Sequence, residues 1–194
     1  MIDSSADFSV KPTLTGDRVL LRPFAEDDVP AMLEALMDPE VLRFTGSPAF
    51  VPDTATRDWY LTRAEQADRL DLAVVDRATR KCVGEVVLNE WDPANRSCNF
   101  RTLLGPGGRN RGLGTEACRL VVTYGFEALG LNRISLGVFD FNPRARRAYE
   151  KVGFVVEGRA REALWHEGEW IDDLYMSILA REWAVHGGTP TVAS

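Results

Sequence analysis

The sequence predicts a mixed fold, α/β or α+β, with a central sheet of about seven strands flanked by helices. Seven segments have strand length and either alternate or run apolar. Four segments carry acidic starts, helical apolar faces or capping residues. Gly, Pro and Asn clusters separate them. Mixing of this kind fixes the class and no more.

Residues 18–24 alternate and read as a strand. Glu26, Asp27 and Asp28 place negative charge at the start of a helix running to about Met37, with Val29, Met32, Leu33 and Leu36 on one face. Pro39, Gly46, Pro48 and Pro52 punctuate a loop, and a second helix is expected over 56–68. Strands over 72–76, 82–91 and 97–104, joined by turns at 78–81 and 93–96, make a meander. The longest helix spans 112–129. Leu113, Ala117, Leu120, Val121, Tyr124 and Ala128 form its apolar face, and Gly130 stands just past its end. After a strand over 132–140, Asn142 reads as an N-cap with Pro143 at the first helical position, and Gly153 closes that short helix. Residues 155–165 and 170–180 form a closing hairpin. Residues 1–13 read as a loose lead-in, 14–184 as one domain and 187–194 as a flexible tail.

A chain of 194 residues suits one domain with a full core. With 45% hydrophobic and 27% charged residues, it is globular and not disordered. No apolar run reaches membrane-spanning length, and the start lacks a basic-then-apolar signal pattern, so a cytoplasmic location and no membrane partner are expected. Cys82, Cys98 and Cys118 lack C-x-x-C spacing and read as reduced thiols. With only His166 and His186 beside them, no metal site is expected. A net charge of −6 argues against direct nucleic-acid binding. Positive charge is nonetheless concentrated at Arg109, Arg111 and Arg119, and again at Arg144, Arg146 and Arg147.

The stretch Arg109-Asn110-Arg111-Gly112-Leu113-Gly114-Thr115 lies between a strand and a helix. Glycines allow close backbone approach to an anion, the helix start offers free N–H groups, and arginines add charge-assisted hydrogen bonds. This pattern suits a pyrophosphate. About thirty residues on stands Asn142-Pro143-Arg144-Ala145-Arg146-Arg147-Ala148-Tyr149-Glu150-Lys151-Val152-Gly153-Phe154.

Together the two segments resemble the GNAT superfamily of acetyl-CoA-dependent N-acetyltransferases: the (R/Q)-x-x-G-x-(G/A) loop and the N-x-x-(S/A)-x-x-x-Y-E-K-x-G-F helix. The resemblance runs from about Asp17 to Trp183. The opening 14–24 and the ending 169–179 are similar to the RimJ/RimL branch, which acetylates protein N-termini, those of ribosomal proteins among them. The resemblance implies a GNAT fold and acetyl-CoA as co-substrate. The acceptor is an amine, first a protein or peptide N-terminus and second a polyamine, amino acid or antibiotic. A homodimer is the assembly that suits this branch. Arg109, Asn110, Arg111, Gly112, Leu113, Gly114, Thr115, Asn142, Arg144 and Arg147 are the expected cofactor contacts. Leu103 and Leu104 would offer backbone groups to the pantetheine arm.

Acetyl transfer needs a neutral amine, a donor for the developing oxyanion and a proton for the leaving sulfur. Tyr149 matches the family's general acid. The family's carboxylate positions, on the strand before the loop or five residues before the helix asparagine, hold Asn99 and Gly137, which cannot take a proton. Glu90 is the first substitute base, followed by Asp140, Glu116 and Glu167. A peptide α-amine, with a pKa of about 7.7–8.0, is roughly one-third neutral near pH 7.5. A lysine-like amine near 10.4 is only about 0.1% neutral. The missing carboxylates therefore favour α-amine acceptors, or a CoA-binding protein that no longer catalyses. Trp59, Tyr60, Trp91, Trp165 and Trp170 are candidates to wall the cleft, and Arg101 either reaches a substrate carboxylate or pairs with a nearby acid. A dinucleotide-binding reading fails because the glycine loop follows a meander instead of the first strand.

Overall fold

The computed structural model describes residues 8–49 and 51–186. Eight strands form one sheet in the order β1-β2-β3-β4-β5-β6-β8-β7. They are β1 (Leu14–Thr15), β2 (Val19–Arg22), β3 (Leu70–Asp76), β4 (Lys81–Asp92), β5 (Ser97–Leu104), β6 (Arg133–Phe139), β7 (Val155–His166) and β8 (Glu169–Leu179). The strand beyond the expected seven is the two-residue β1, which pairs with β2 at the sheet edge. Six helices accompany them: α1 (Val29–Met37), α2 (Pro39–Thr45), α3 (Thr54–Leu61), α4 (Leu113–Glu127), α5 (Pro143–Val152) and α6 (Ala180–His186).

All strand pairs but one are antiparallel. The exception is β5 with β6, parallel and joined through α4. Its pairing covers only Ser97, Cys98 and Asn99 of β5 against Arg133, Ile134 and Ser135 of β6. Beyond Asn99 and Ser135 the two strands part. This opening fixes where a ligand can enter.

The sheet has two covered faces. On one, Leu113, Ala117, Val121 and Val122 of α4 and Tyr149 and Val152 of α5 pack onto Val86, Leu88, Phe100, Ile134 and Leu136. On the other, Val29 and Met32 of α1 and Tyr60 of α3 pack against Cys82 and Leu103. Strand side chains alternate between these faces, so Leu103 and Glu85, directly opposed across β4–β5, share the second face.

Two expectations are corrected, and one helix is added. The loop around Pro39 is a helix. Asp38 accepts the Val41 N–H at 3.0 Å as its N-cap, Pro39 takes the first position, and Gly46 (φ 63°) ends it. Pro39 thus marks a helix start, whereas Pro48 and Pro52 lie in the expected loop. The lead-in is not loose from residue 8 onward: Phe8 is buried, meets the Trp91 ring edge-on at 5.4 Å, and Lys11 donates to the carbonyls of Phe8 and Gln66 at 2.6 Å. One helix was not foreseen: α6 follows the hairpin inside the expected domain and buries Trp183 against Phe126, 6.2 Å between ring centroids. The expected tail over 187–194 lies outside the described residues, as do residues 1–7 of the lead-in.

Candidate active site

The parting of β5 and β6 opens a cavity of about 590 Å³, with Thr102, Leu103 and Leu104 on one side and Gly137, Val138 and Phe139 on the other. The turn before α4 lies above it, and α5 forms its back. Asn110 (φ 60°) and Gly112 (φ 78°) both adopt the left-handed backbone. That conformation suits Asn and Gly and lets the chain reverse directly into α4. The first intrahelical bond runs from the Glu116 N–H to the Gly112 carbonyl at 3.2 Å. The N–H groups of Leu113, Gly114 and Thr115 therefore have no acceptor inside the helix. They sit at the positive end of the α4 dipole.

Charge around this turn is arranged differently from the sequence expectation. The Arg109 guanidinium donates to the Leu104 carbonyl at 3.0 Å, pairs with Asp38, and lies 3.3 Å from Glu40. It ties the turn to α2 and is ion-paired there, while Arg109 still lines the cavity. Arg111 turns away from the cavity and binds Asp76 at 2.8 Å and the Gly107 carbonyl at 3.1 Å. Its guanidinium is the main reason that the Asp76 carboxyl is held below its usual range. The Leu113 side chain belongs to the core, which leaves only its backbone N–H for a ligand. Gly112, Gly114, Thr115 and Asn110 line the cavity, as do Arg144, Arg147 and Lys151. Arg144 pairs with Glu40, whereas Arg147 has no ion pair among the described residues.

Asn142 is the N-cap of α5, its side-chain oxygen accepting the Ala145 N–H at 3.1 Å. The cap uses the carbonyl and leaves the amide NH₂ as a donor toward the cavity that Asn142 lines. Tyr149, seven residues on, is 9% exposed and packs edge-on against Phe100 at 6.0 Å. Burial first, and the nearby Cys118 second, raise its pKa, so the phenol keeps its proton and can donate.

Glu90 does not reach this place. It sits exposed, at φ 53°, in the irregularity where β4–β5 pairing slips between Asn89 and Asp92, and it is not among the cavity residues. The further substitutes also lie elsewhere. Asp140 pairs with Arg159 at 3.0 Å, Glu116 accepts the Arg18 N–H at 2.9 Å, and the Glu167 side chain is solvated. None of the five aromatic residues expected to wall the cleft lines it. Trp91 packs on Phe8, Tyr60 is buried beside α1, Trp59 stacks under Arg63 at 4.1 Å, and Trp165 and Trp170 meet each other on the exposed hairpin.

Three carboxylates that were not among the candidate bases line the cavity: Glu40, which pairs with Arg109 and Arg144, and Glu85 and Asp173, which have no ion pair among the described residues. Glu85 has an oxygen, Oε2, buried with no hydrogen-bond partner. Burial, then repulsion from Asp71, pushes its pKa up to about 7 against the opposing pull of Arg101, Arg69 and Arg63. A lone acid inside the apolar run Val83-Gly84-Glu85-Val86-Val87-Leu88 was the available signal. The Asp173 pKa is also raised by burial, with the Val138 N–H working the other way. Cys82 and Cys98 are free thiols pushed up to about 12 by burial, and Cys118 is raised further. They are poor nucleophiles. Among the described residues no cluster of His, Cys, Asp and Glu is placed to hold a metal.

Residues 18–155 match a family model described as an acetyltransferase (GNAT) domain. The chain belongs to the GNAT acetyltransferase family. This family uses acetyl-CoA. The chain is 36% identical over 100 residues to the putative ribosomal N-acetyltransferase YdaF of Bacillus subtilis, spanning 52% of this chain and 55% of that protein. It is 30% identical over 139 residues to the spermidine N(1)-acetyltransferase of Escherichia coli, spanning 68% and 75% of the two. The spermidine N-acetyltransferase of Vibrio cholerae, solved with CoA and spermine, shares the GNAT fold with a TM-score of 0.79, at 23% identity, over 87% of this chain and 99% of that one. No helix of the described residues is long and apolar enough to cross a membrane.

Proposed function

We propose that this GNAT protein transfers the acetyl group of acetyl-CoA directly to a primary amine, with a protein or peptide N-terminus as the first acceptor class. The observation that carries the reading is the parted β5–β6 pair, with the open start of α4 above it and protonated Tyr149 behind it. The residues fit the cofactor. The N–H groups of Leu113, Gly114 and Thr115 meet the pyrophosphate, with Arg147 and Lys151 supplying unspecific positive charge. The backbone edges at Leu103 and Leu104 and the Asn142 amide suit the amides of a pantetheine arm. When bound, acetyl-CoA supplies an activated acyl group and a thiolate leaving group. The Tyr149 hydroxyl donates to the sulfur as it departs. Among the described residues no cysteine lines the cavity to carry an acyl-enzyme, so the amine attacks directly.

The RimJ/RimL-like reading favours α-amines, which ask little of a base near neutral pH. The similarity to YdaF, named a putative ribosomal acetyltransferase, supports this class. A second reading, a polyamine acceptor, is favoured by the carboxylates Glu85, Asp173 and Glu40 along one cavity. Thiol release from acetyl-CoA against Ser-, Ala- and Thr-initiated peptides, spermidine and amino acids separates the two. Turnover on peptides alone supports the first and on spermidine alone the second. Silence on all amines, with no thermal shift by acetyl-CoA, rejects the reading.

A further inference from the structure

Resting on that transfer reading, we propose that Asp173 is the carboxylate that takes the proton from the acceptor amine, reached from β8 instead of from β5 or β6. On β6, Gly137 is the first residue facing the α1 side after pairing with β5 ends at Ser135. A side chain is missing at that point, and its room is not empty. A Cβ built on Gly137 would lie 2.8 Å from Asp173 Oδ2 and 3.2 Å from Oδ1. Asp173 is opposed to Phe139 across the antiparallel β6–β8 ladder, so its side chain emerges on the same face as Gly137 and leans over it. The absent side chain at 137 is thus what lets a carboxylate from the neighbouring strand stand at the mouth of the opening.

Position distinguishes Asp173 from Glu85. Tyr149 packs on Phe100, one residue past the last paired residue of β5. Gly137, with Asp173 over it, is two residues past the last paired residue of β6. Both groups therefore border the start of the parting, from opposite faces of the sheet. Glu85 stands opposite Leu103, two residues further along and beyond Arg101. In the step, the amine nitrogen forms the N–C bond and loses its proton to Asp173. The C–S bond breaks, and the sulfur takes its proton from Tyr149. Exchange with water returns the proton from Asp173 to Tyr149. No oxidant, metal or further reactant enters.

The test combines kinetics with a direct view of the carboxyl. With the amine that wild-type protein acetylates, Asp173→Asn is expected to lower kcat by about 100-fold or more, while the acetyl-CoA thermal shift stays unchanged. Asp173→Ala combined with Gly137→Glu, which returns a carboxylate to the same space from β6, is expected to recover much of the loss. In CoA-loaded protein with ¹³C-carboxyl aspartate, the resonance missing from Asp173→Asn should change its titration midpoint when a Ser-initiated peptide amide or spermidine is added. Turnover of Asp173→Asn within about threefold of wild type overturns the proposal. So does a loss that the double variant does not rescue, or a carboxyl resonance indifferent to both amines. Inactive wild-type protein would count against the transfer reading alone, since the resonance measurement needs no turnover.

Discussion

The two sides of the cavity are built on different principles. The donor side, the turn into α4 and the first turn of α5, offers backbone N–H groups and one capping amide. The side proposed here for the acceptor is made of side chains, Glu85, Arg101 and Asp173, drawn from three strands spread over about ninety residues of chain. A backbone site needs glycines and caps in one short run. A side-chain site needs only that distant residues meet on one face. The first leaves a motif and the second leaves none.

Substitutions on each side should therefore fail differently. The largest effect is expected at Gly112→Asp. The left-handed φ of 78° resists a Cβ, which would also come within 3.0 Å of Arg18 Nη1, and the new charge faces the incoming phosphates. Acetyl-CoA should no longer shift the melting temperature; an unchanged shift removes the turn as an anion site. Next, Tyr149→Phe should leave that shift intact and lower kcat about 100-fold, as loss of a proton donor does. Equal turnover would end the acid assignment.

Glu85→Gln sharpens the comparison from the acceptor side. A carboxyl whose pKa is raised on folding, here up to about 7 from 4.5, binds more protons folded than unfolded between those values. Its destabilising cost is absent below about pH 4.5, grows as pH rises, and is complete above 7. Denaturant melts should find Glu85→Gln more stable than wild type by about 3 kcal/mol at pH 8, with the gap closing toward pH 4. A constant gap would mean that Glu85 is not held in this way. Smaller still, Asp38→Ala removes the α2 cap and one Arg109 partner and should cost about 0.5–2 kcal/mol, read as a lower melting temperature. Arg111→Ala should leave acetyl-CoA affinity unchanged, because its guanidinium lies on Asp76; a clear loss would return it to the phosphate site.

The same contrast explains what was legible in the sequence. The meander, α4, α5 and the closing hairpin follow from apolar periodicity and from Gly130, Asn142 and Gly153. These signals act within a few residues of themselves. The motif residues Gly112, Gly114, Thr115, Asn142 and Tyr149 line one cavity. The partners of Arg109 and Arg111 were hidden, since Asp38 and Asp76 lie 71 and 35 residues away. Glu90 was chosen by nearness to a strand end, and the β4 irregularity turns that end outward. Asp173 was not among the candidate bases, because nothing in a linear reading connects it with the bare Gly137.

The three-residue seam between β5 and β6 has a consequence for solubility. Beyond Asn99 and Ser135 the facing margins of both strands are sheet edges held open inside the molecule. Open strand edges are templates for pairing with another chain. Most proteins blunt them with charge, bulges or a covering helix. On the proposed reading a slender ligand arm carrying amides would cover them, so ligand-free protein should be the form more prone to self-association on storage or mild heating. Keeping CoA present would then act as a colloidal safeguard as well as a means of saturating the enzyme.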